Sequence, residues 1–200
     1  MEVDDPSPDR ALGPDALSAI AQRLDRPIVL VGMMGVGKSS VGRKLAAALH
    51  CPFIDADDAI EEAAAMSIPE IFAAHSEAYF RDGERRVIAR LIKDGPASQD
   101  GGLKVIATGG GAFCNDQTRA LILEKAIAVW LDSDIQTLME RTARKENRPL
   151  LHGGDPREIL TRLREERRQF YEQAPVHVFS SNGPHGRTVS NVLKGIDKWL

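Results

Sequence analysis

The sequence predicts one α/β domain, a parallel sheet with helices on both faces. Three observations predict it. Ile28–Val31, Val105–Ala107 and residues 126–131 are short, apolar throughout and rich in β-branched residues, as strands covered on both faces are. Segments of helical spacing separate them, and such alternation gives right-handed crossovers and a parallel sheet. The 200 residues suit one core and are few for two.

In chain order, residues 1–14 read as a loose, acidic tail. Residues 16–24 predict a short helix, with Leu17, Ile20 and Leu24 on one face. Pro27 disfavours helix before it and leads into the first strand. Together residues 1–26 form an N-terminal extension to a domain spanning 27–200. After the strand and a glycine-rich turn, Val41, Leu45, Ala48 and Leu49 mark one helical face, which ends at Cys51-Pro52. Phe53-Ile54 is a second strand, running into Asp55 and Asp57. Residues 59–66 predict a helix, Pro69 opens another through Phe72, and 77–92 predict a longer one with Tyr79 or Phe80, Val87 and Leu91 inward. Residues 94–102 read as a surface loop. The strand Val105–Ala107 runs into Gly109-Gly110-Gly111. Helix 117–124, strand 126–131 and helix 135–144 follow. Residues 145–155 are basic and glycine-containing, as a mobile lid would be. Pro156 opens a charged helix to about 172. Val176–Phe179 is the last strand, and 188–199 the closing helix, striped by Val189, Val192 or Leu193, Ile196 and Trp199.

Composition removes several functions. With 26 Lys+Arg against 29 Asp+Glu, the net charge of −3 argues against a coat for nucleic acid or anionic lipid. No apolar run reaches the roughly 18 residues of a membrane span. The start, MEVDDPSPDR, lacks a signal peptide's basic and apolar regions. Cys51 and Cys114 imply no disulfide framework, so a reducing cytoplasm is expected.

The strongest motif is Gly32-Met33-Met34-Gly35-Val36-Gly37-Lys38-Ser39, a GxxxxGK[ST] phosphate-binding loop between a strand and a helix. Its glycines let backbone N–H groups converge, and the next helix adds its positive end. Lys38 can reach the β- and γ-phosphates, and the Ser39 hydroxyl can coordinate Mg²⁺. This fixes a nucleoside triphosphate as ligand and leaves the phosphoryl acceptor open.

Ligands of open α/β sheets bind beyond the carboxyl ends of strands. Asp55 and Asp57 lie there, either holding a magnesium shell and orienting a hydroxyl, or capping the next helix. Asp132 is a weaker substitute for the acid expected near such a loop. Gly109-Gly110-Gly111 permits close backbone approach to a ligand. Arg81, Arg141, Arg148 and Arg167 supply forks for carboxylate or phosphate, whereas Arg144 and Arg168 read as surface residues.

GMMGVGKSSVGRKLA at 32–46, FIDAD at 53–57, FRDGE at 80–84, TGGGA at 108–112, RPLL at 148–151, and Arg167 with Tyr171 in ERRQFYEQA occur in this order. Together these pieces resemble the shikimate kinase family. The match spans about 27–199. The resemblance implies a P-loop nucleoside monophosphate kinase-like fold, a three-layer sandwich on a five-stranded parallel sheet. It implies transfer of the ATP γ-phosphate to the 3-hydroxyl of shikimate, giving shikimate 3-phosphate for chorismate and aromatic amino acid synthesis. It implies that Gly35, Val36, Gly37, Lys38, Ser39, Ser40, Arg141, Arg148 and Asn182 bind ATP, with 181–184 on the adenine side. Asp57, Arg81, Gly110, Gly111 and Arg167 would bind shikimate. Lys38, Asp57 and Arg148 would be catalytic, and Ser39 with Asp55 would hold Mg²⁺, Asp55 through water. A gluconate kinase or a nucleotide-dependent switch are the competing expectations. All motifs lie on one chain, so a monomer is expected, with no nucleic-acid or membrane partner.

Overall fold

The computed structural model describes residues 12–93, 102–143, 154–180 and 185–200. Five parallel strands form one sheet in the order β2-β3-β1-β4-β5: β1 Ile28–Val31, β2 Phe53–Asp55, β3 Val105–Ala107, β4 Ile127–Asp132 and β5 Val176–Phe179. Burial follows this order. Every residue of β1, β3 and β4 is buried, so these strands carry no polar alternation. The edge strand β5 alternates, with Val176 and Val178 inward and His177 and Phe179 outward. Ile28 and Leu30 are fully buried, and each such side chain contributes roughly 1.5–3 kcal/mol.

Around the sheet lie α1 Pro14–Arg23, α2 Lys38–Ala48, α3 Ala56–Ala64, α4 Ile68–Ala74, α5 Glu77–Lys93, α6 Asp116–Lys125, α7 Ile135–Thr142, α8 Pro156–Tyr171 and α9 His185–Trp199. Helix α2 packs against α9, and α5 against α6. Right-handed crossovers put these pairs on opposite faces, giving three layers. Register pairs Ile28 with both Val105 and Ile127, so the carboxyl ends of β1, β3 and β4 lie along one edge.

Several boundaries move for physical reasons. Helix α1 begins at Pro14, inside the expected tail, and its Ile20 joins the main core with Leu24. Arg23 pairs with Asp197 at 2.6 Å, fastening α1 to α9. Helix α3 begins three residues earlier than its apolar spacing indicates, because the Asp55 side chain accepts from the Asp57 N–H and caps it. On α5, Phe80 is the inward aromatic and Tyr79 is exposed. Val192 and Leu193 are both buried on α9, whereas Trp199 is exposed and leaves the stripe. A 3-10 turn at Ala112–Cys114, unforeseen from the sequence, carries buried Phe113. The expected loop at 94–102 lies outside the described residues except for Gly102, and so does the lid except for Gly154 and Asp155.

Candidate active site

The phosphate loop leaves β1 directly. Gly37 caps α2 with φ of 101°, a left-handed conformation that disfavours any residue with a Cβ. Lys38 opens α2 and is buried. Its Nζ donates to the carbonyls of Gly32 at 2.8 Å and Met33 at 2.9 Å, so the ammonium curls over the loop. Ser39 donates through Oγ to Asp55 Oδ2 at 2.6 Å. Val36 is fully buried, and Ser40 is exposed on the outer side of the first turn. Arg141 reaches back from α7, donating through Nη1 to the Val36 carbonyl at 2.9 Å. The same Nη1 lies 3.5 Å from Ser180 Oγ.

Asp55 takes the capping role through Oδ1, and its other oxygen, Oδ2, turns to the phosphate-loop serine. Asp57 follows in the first turn of α3. Burial, with the neighbouring Asp55 charge, pushes its carboxyl above the usual range, while Lys38 pulls the other way.

The glycine segment after β3 forms the floor opposite. A Cβ at Gly109 would stand 2.9 Å from Glu84 Oε1 and 3.0 Å from Asp57 Oδ1, so two carboxylates converge on that residue. A Cβ at Gly111 would stand 2.7 Å from Arg81 Nη2 and 2.8 Å from Nη1, so any side chain there collides with the guanidinium. The Gly110 carbonyl accepts from Arg167 Nη1 at 3.2 Å and from the Tyr171 hydroxyl. Arg81 and Arg167, 86 positions apart in sequence, thus meet the same three glycines from α5 and α8.

Sequence reasoning assigned no role to three residues here. Glu84 is 2% exposed, and its Oε2 accepts from Arg81 Nη1 at 2.8 Å. Its Oε1 has no hydrogen-bond partner among the described residues. Burial pushes its carboxyl up against the attraction of Arg81. The signal was present: an Arg and a Glu three apart on a helix face each other. Tyr171 is buried in a site motif, and its hydroxyl is pushed well above the ordinary tyrosine range by burial. His185 stands beside Gly37, where a Cβ would lie 3.6 Å from its Cε1. Burial and the Arg141 charge push its imidazole below the ordinary value. Nothing in the sequence pattern singled it out.

The Asp132 carboxylate holds Arg164 at 2.9 Å and the Ser133 N–H at 2.8 Å. Arg168 pairs with Glu172 at 2.6 Å on the outside of α8, a surface residue as read. Arg144, Arg148 and Asn182 lie outside the described residues.

The geometry is a phosphate loop facing a pocket of two carboxylates and two guanidiniums over a glycine floor. Comparison with known proteins shows the family. The shikimate kinase family model matches residues 34–197. A shikimate kinase of Novosphingobium aromaticivorans is 61% identical over 189 residues, covering 94% of this chain and 96% of its own. One from Rhodopseudomonas palustris is 47% identical over 187 residues, covering 94% and 89%. Among solved structures, the Acinetobacter baumannii shikimate kinase in complex with shikimate superposes with a TM-score of 0.74 at 32% identity, covering 85% of this chain and 92% of that one. A gluconokinase from Sinorhizobium meliloti shares the fold at 20% identity and a TM-score of 0.56, covering 87% and 93%. Sequence and fold agree, and the chain belongs to the shikimate kinase family.

Proposed function

We infer that this chain transfers the γ-phosphoryl group of ATP to the 3-hydroxyl of shikimate, giving ADP and shikimate 3-phosphate. The observation that carries this is the convergence of Asp57, Arg81 and Arg167 on Gly109-Gly110-Gly111, opposite the phosphate loop, in a chain of this family. The substrate carboxylate lies between the guanidiniums of Arg81 and Arg167, each able to offer two parallel N–H donors. Glu84 holds Arg81 in place through its 2.8 Å contact. Gly110 and Gly111 meet the ring through their backbone, and Arg167 and Tyr171 fix the Gly110 carbonyl.

Asp57 orients the reacting hydroxyl. A carboxyl raised by burial binds a proton more readily than an ordinary one, so Asp57 accepts the hydroxyl proton as the oxygen attacks phosphorus. The bond from the γ-phosphorus to the bridging oxygen of ADP breaks as the new P–O bond forms. Phosphoryl transfer needs mainly positioning and charge, which Lys38 and the N–H groups of Gly35, Val36, Gly37, Ser39 and Ser40 provide. Arg141 holds the nucleotide side. Arg148 on the transferring phosphate and Asn182 beside the adenine complete the assignment by family resemblance.

The Ser39 hydroxyl and Asp55 carboxylate, 2.6 Å apart, are hard oxygen donors of the kind Mg²⁺ takes. When bound, Mg²⁺ neutralises charge on the β- and γ-phosphate oxygens. Ser39 would meet the ion directly and Asp55 through its water.

Residues 27–200 form the catalytic unit, with 1–26 as an extension and a lid about 145–155. One chain carries the whole assignment, so a monomer suffices. The cytoplasm, which holds ATP and reduced thiols, is the proposed location. The test is ADP release from ATP and Mg²⁺ with shikimate, gluconate, nucleoside monophosphates or no acceptor. Stimulation by shikimate alone, with shikimate 3-phosphate detected, is the expected result. Stimulation by gluconate instead would move the assignment to another small-molecule kinase.

A further inference from the structure

We propose that the groove between α3, α4 and α5 is a second binding site, for a small organic carboxylate with an apolar body. The groove has a volume of about 310 Å³, at the lower end of the roughly 300–1,000 Å³ typical of small-molecule sites. Its floor is a small hydrophobic cluster separate from the main core, made by Ile60, Ile71, Phe80 and Val87. Its rim carries Arg86 and Arg90 from successive turns of α5.

The groove is distinct from the acceptor pocket. Helix α5 sends Arg81 and Glu84 toward the glycine floor, and Gly83, Arg86 and Arg90 line the groove on an adjoining face.

Two observations point to an anionic, partly apolar occupant. The first is charge. Asp82 is shared by Arg85 at 2.7 Å and Arg86 at 3.1 Å, and Arg90 has no carboxylate partner among the described residues. The lining thus holds two guanidiniums and no carboxylate over an apolar floor, complementary to a carboxylate on a ring or short chain. The second is Gly83. It sits inside a 17-residue helix, where glycine is less stable than alanine. A Cβ there would meet nothing within 4 Å, so close packing within the chain does not account for the glycine. Gly83 lines the groove, and the absence of a side chain there leaves that wall open.

The experiment follows backbone amide shifts of the ¹⁵N-labelled full chain, with ADP present to fill the phosphate loop. The probes are 4-phenylbutyrate, its neutral amide and inorganic phosphate. Saturable shifts at Ala63, Gly83 and Arg90 are expected with 4-phenylbutyrate, at an affinity at least about tenfold above the amide's, since desolvated charge pairs add that much. Gly83→Leu, which fills the groove, and Arg90→Glu, which reverses its rim, should each weaken binding about tenfold or more. Equal affinity for acid and amide overturns the proposal. So do shifts from phosphate alone, shifts confined to the acceptor pocket, or undiminished binding in Arg90→Glu. Shifts at these amides that track protein concentration would make the occupant a second copy, and would also overturn it. None of these readouts depends on catalytic activity.

Discussion

Replacing Glu84 by glutamine keeps the shape of a buried side chain and removes its charge. Glu84 is 2% exposed and holds Arg81 Nη1 at 2.8 Å. A hydrogen bond to a charged group contributes about 1.5–3 kcal/mol. Against that, the glutamine needs no buried negative charge, whose desolvation costs several kcal/mol, and its repulsion with Asp57 disappears. The terms oppose each other at similar size, so stability should change by no more than about 1 kcal/mol, or about 4 °C in Tm. Substrate binding should change much more. Arg81 would keep only Glu77, whose side chain is 65% exposed, as a charged partner. A guanidinium no longer fixed beneath Gly111 should raise the shikimate KM about 10–30-fold, roughly 1.4–2 kcal/mol, with kcat within about threefold. Urea unfolding and coupled ADP release measure the two effects. Glu84→Asp restores the charge one methylene short and should give an intermediate KM. An unchanged KM in the glutamine variant, with stability lower by more than about 3 kcal/mol, would make Glu84 a purely structural residue and refute the reasoning.

Other outcomes follow from the same geometry. Lys38→Met should fold normally and lose about 100–1,000-fold in kcat, the scale of removing one transition-state donor; turnover near wild type would take Lys38 out of that role. Because the Asp57 carboxyl is raised, the acid limb of kcat/KM should lie above the ordinary aspartate range, and an Asp57→Asn profile lacking any change in that limb would assign it to another group. The sign for stability is opposite: the folded state binds that proton more tightly than the unfolded chain, so stability falls as pH rises through the raised pKa. Asp57→Asn should therefore melt higher than wild type at pH 8 and no higher at pH 3, a comparison that calorimetry decides. Tyr171→Phe leaves Arg167 on the Gly110 carbonyl, so the loss should be about 1 kcal/mol, or 2–4 °C in Tm; a drop above about 10 °C would show a larger role.

The sequence by itself determined the alternating strands and helices, the phosphate loop and the family. Each of these is written in local pattern. Four apolar residues before Gly32 need a sheet covered on both faces, and Gly37-Lys38-Ser39 needs no distant partner to form a phosphate loop. Element ends were less legible where a side chain outside the apolar pattern sets them. Asp55 starts α3 by capping it, and the repeat of Ala59 onward says nothing of that. Only the tertiary structure showed that Asp55 caps α3 and also meets Ser39: β2 ends beside β3 with β1 next in order, and this brings the Ser39 hydroxyl within 2.6 Å of its carboxylate. Only the tertiary structure also showed the partner of Asp132, Arg164, 32 residues away. The same holds for the meeting of Arg81, Glu84 and Arg167 around three glycines. No local pattern encodes contacts between α5, α8 and the end of β3; sheet order and packing create them.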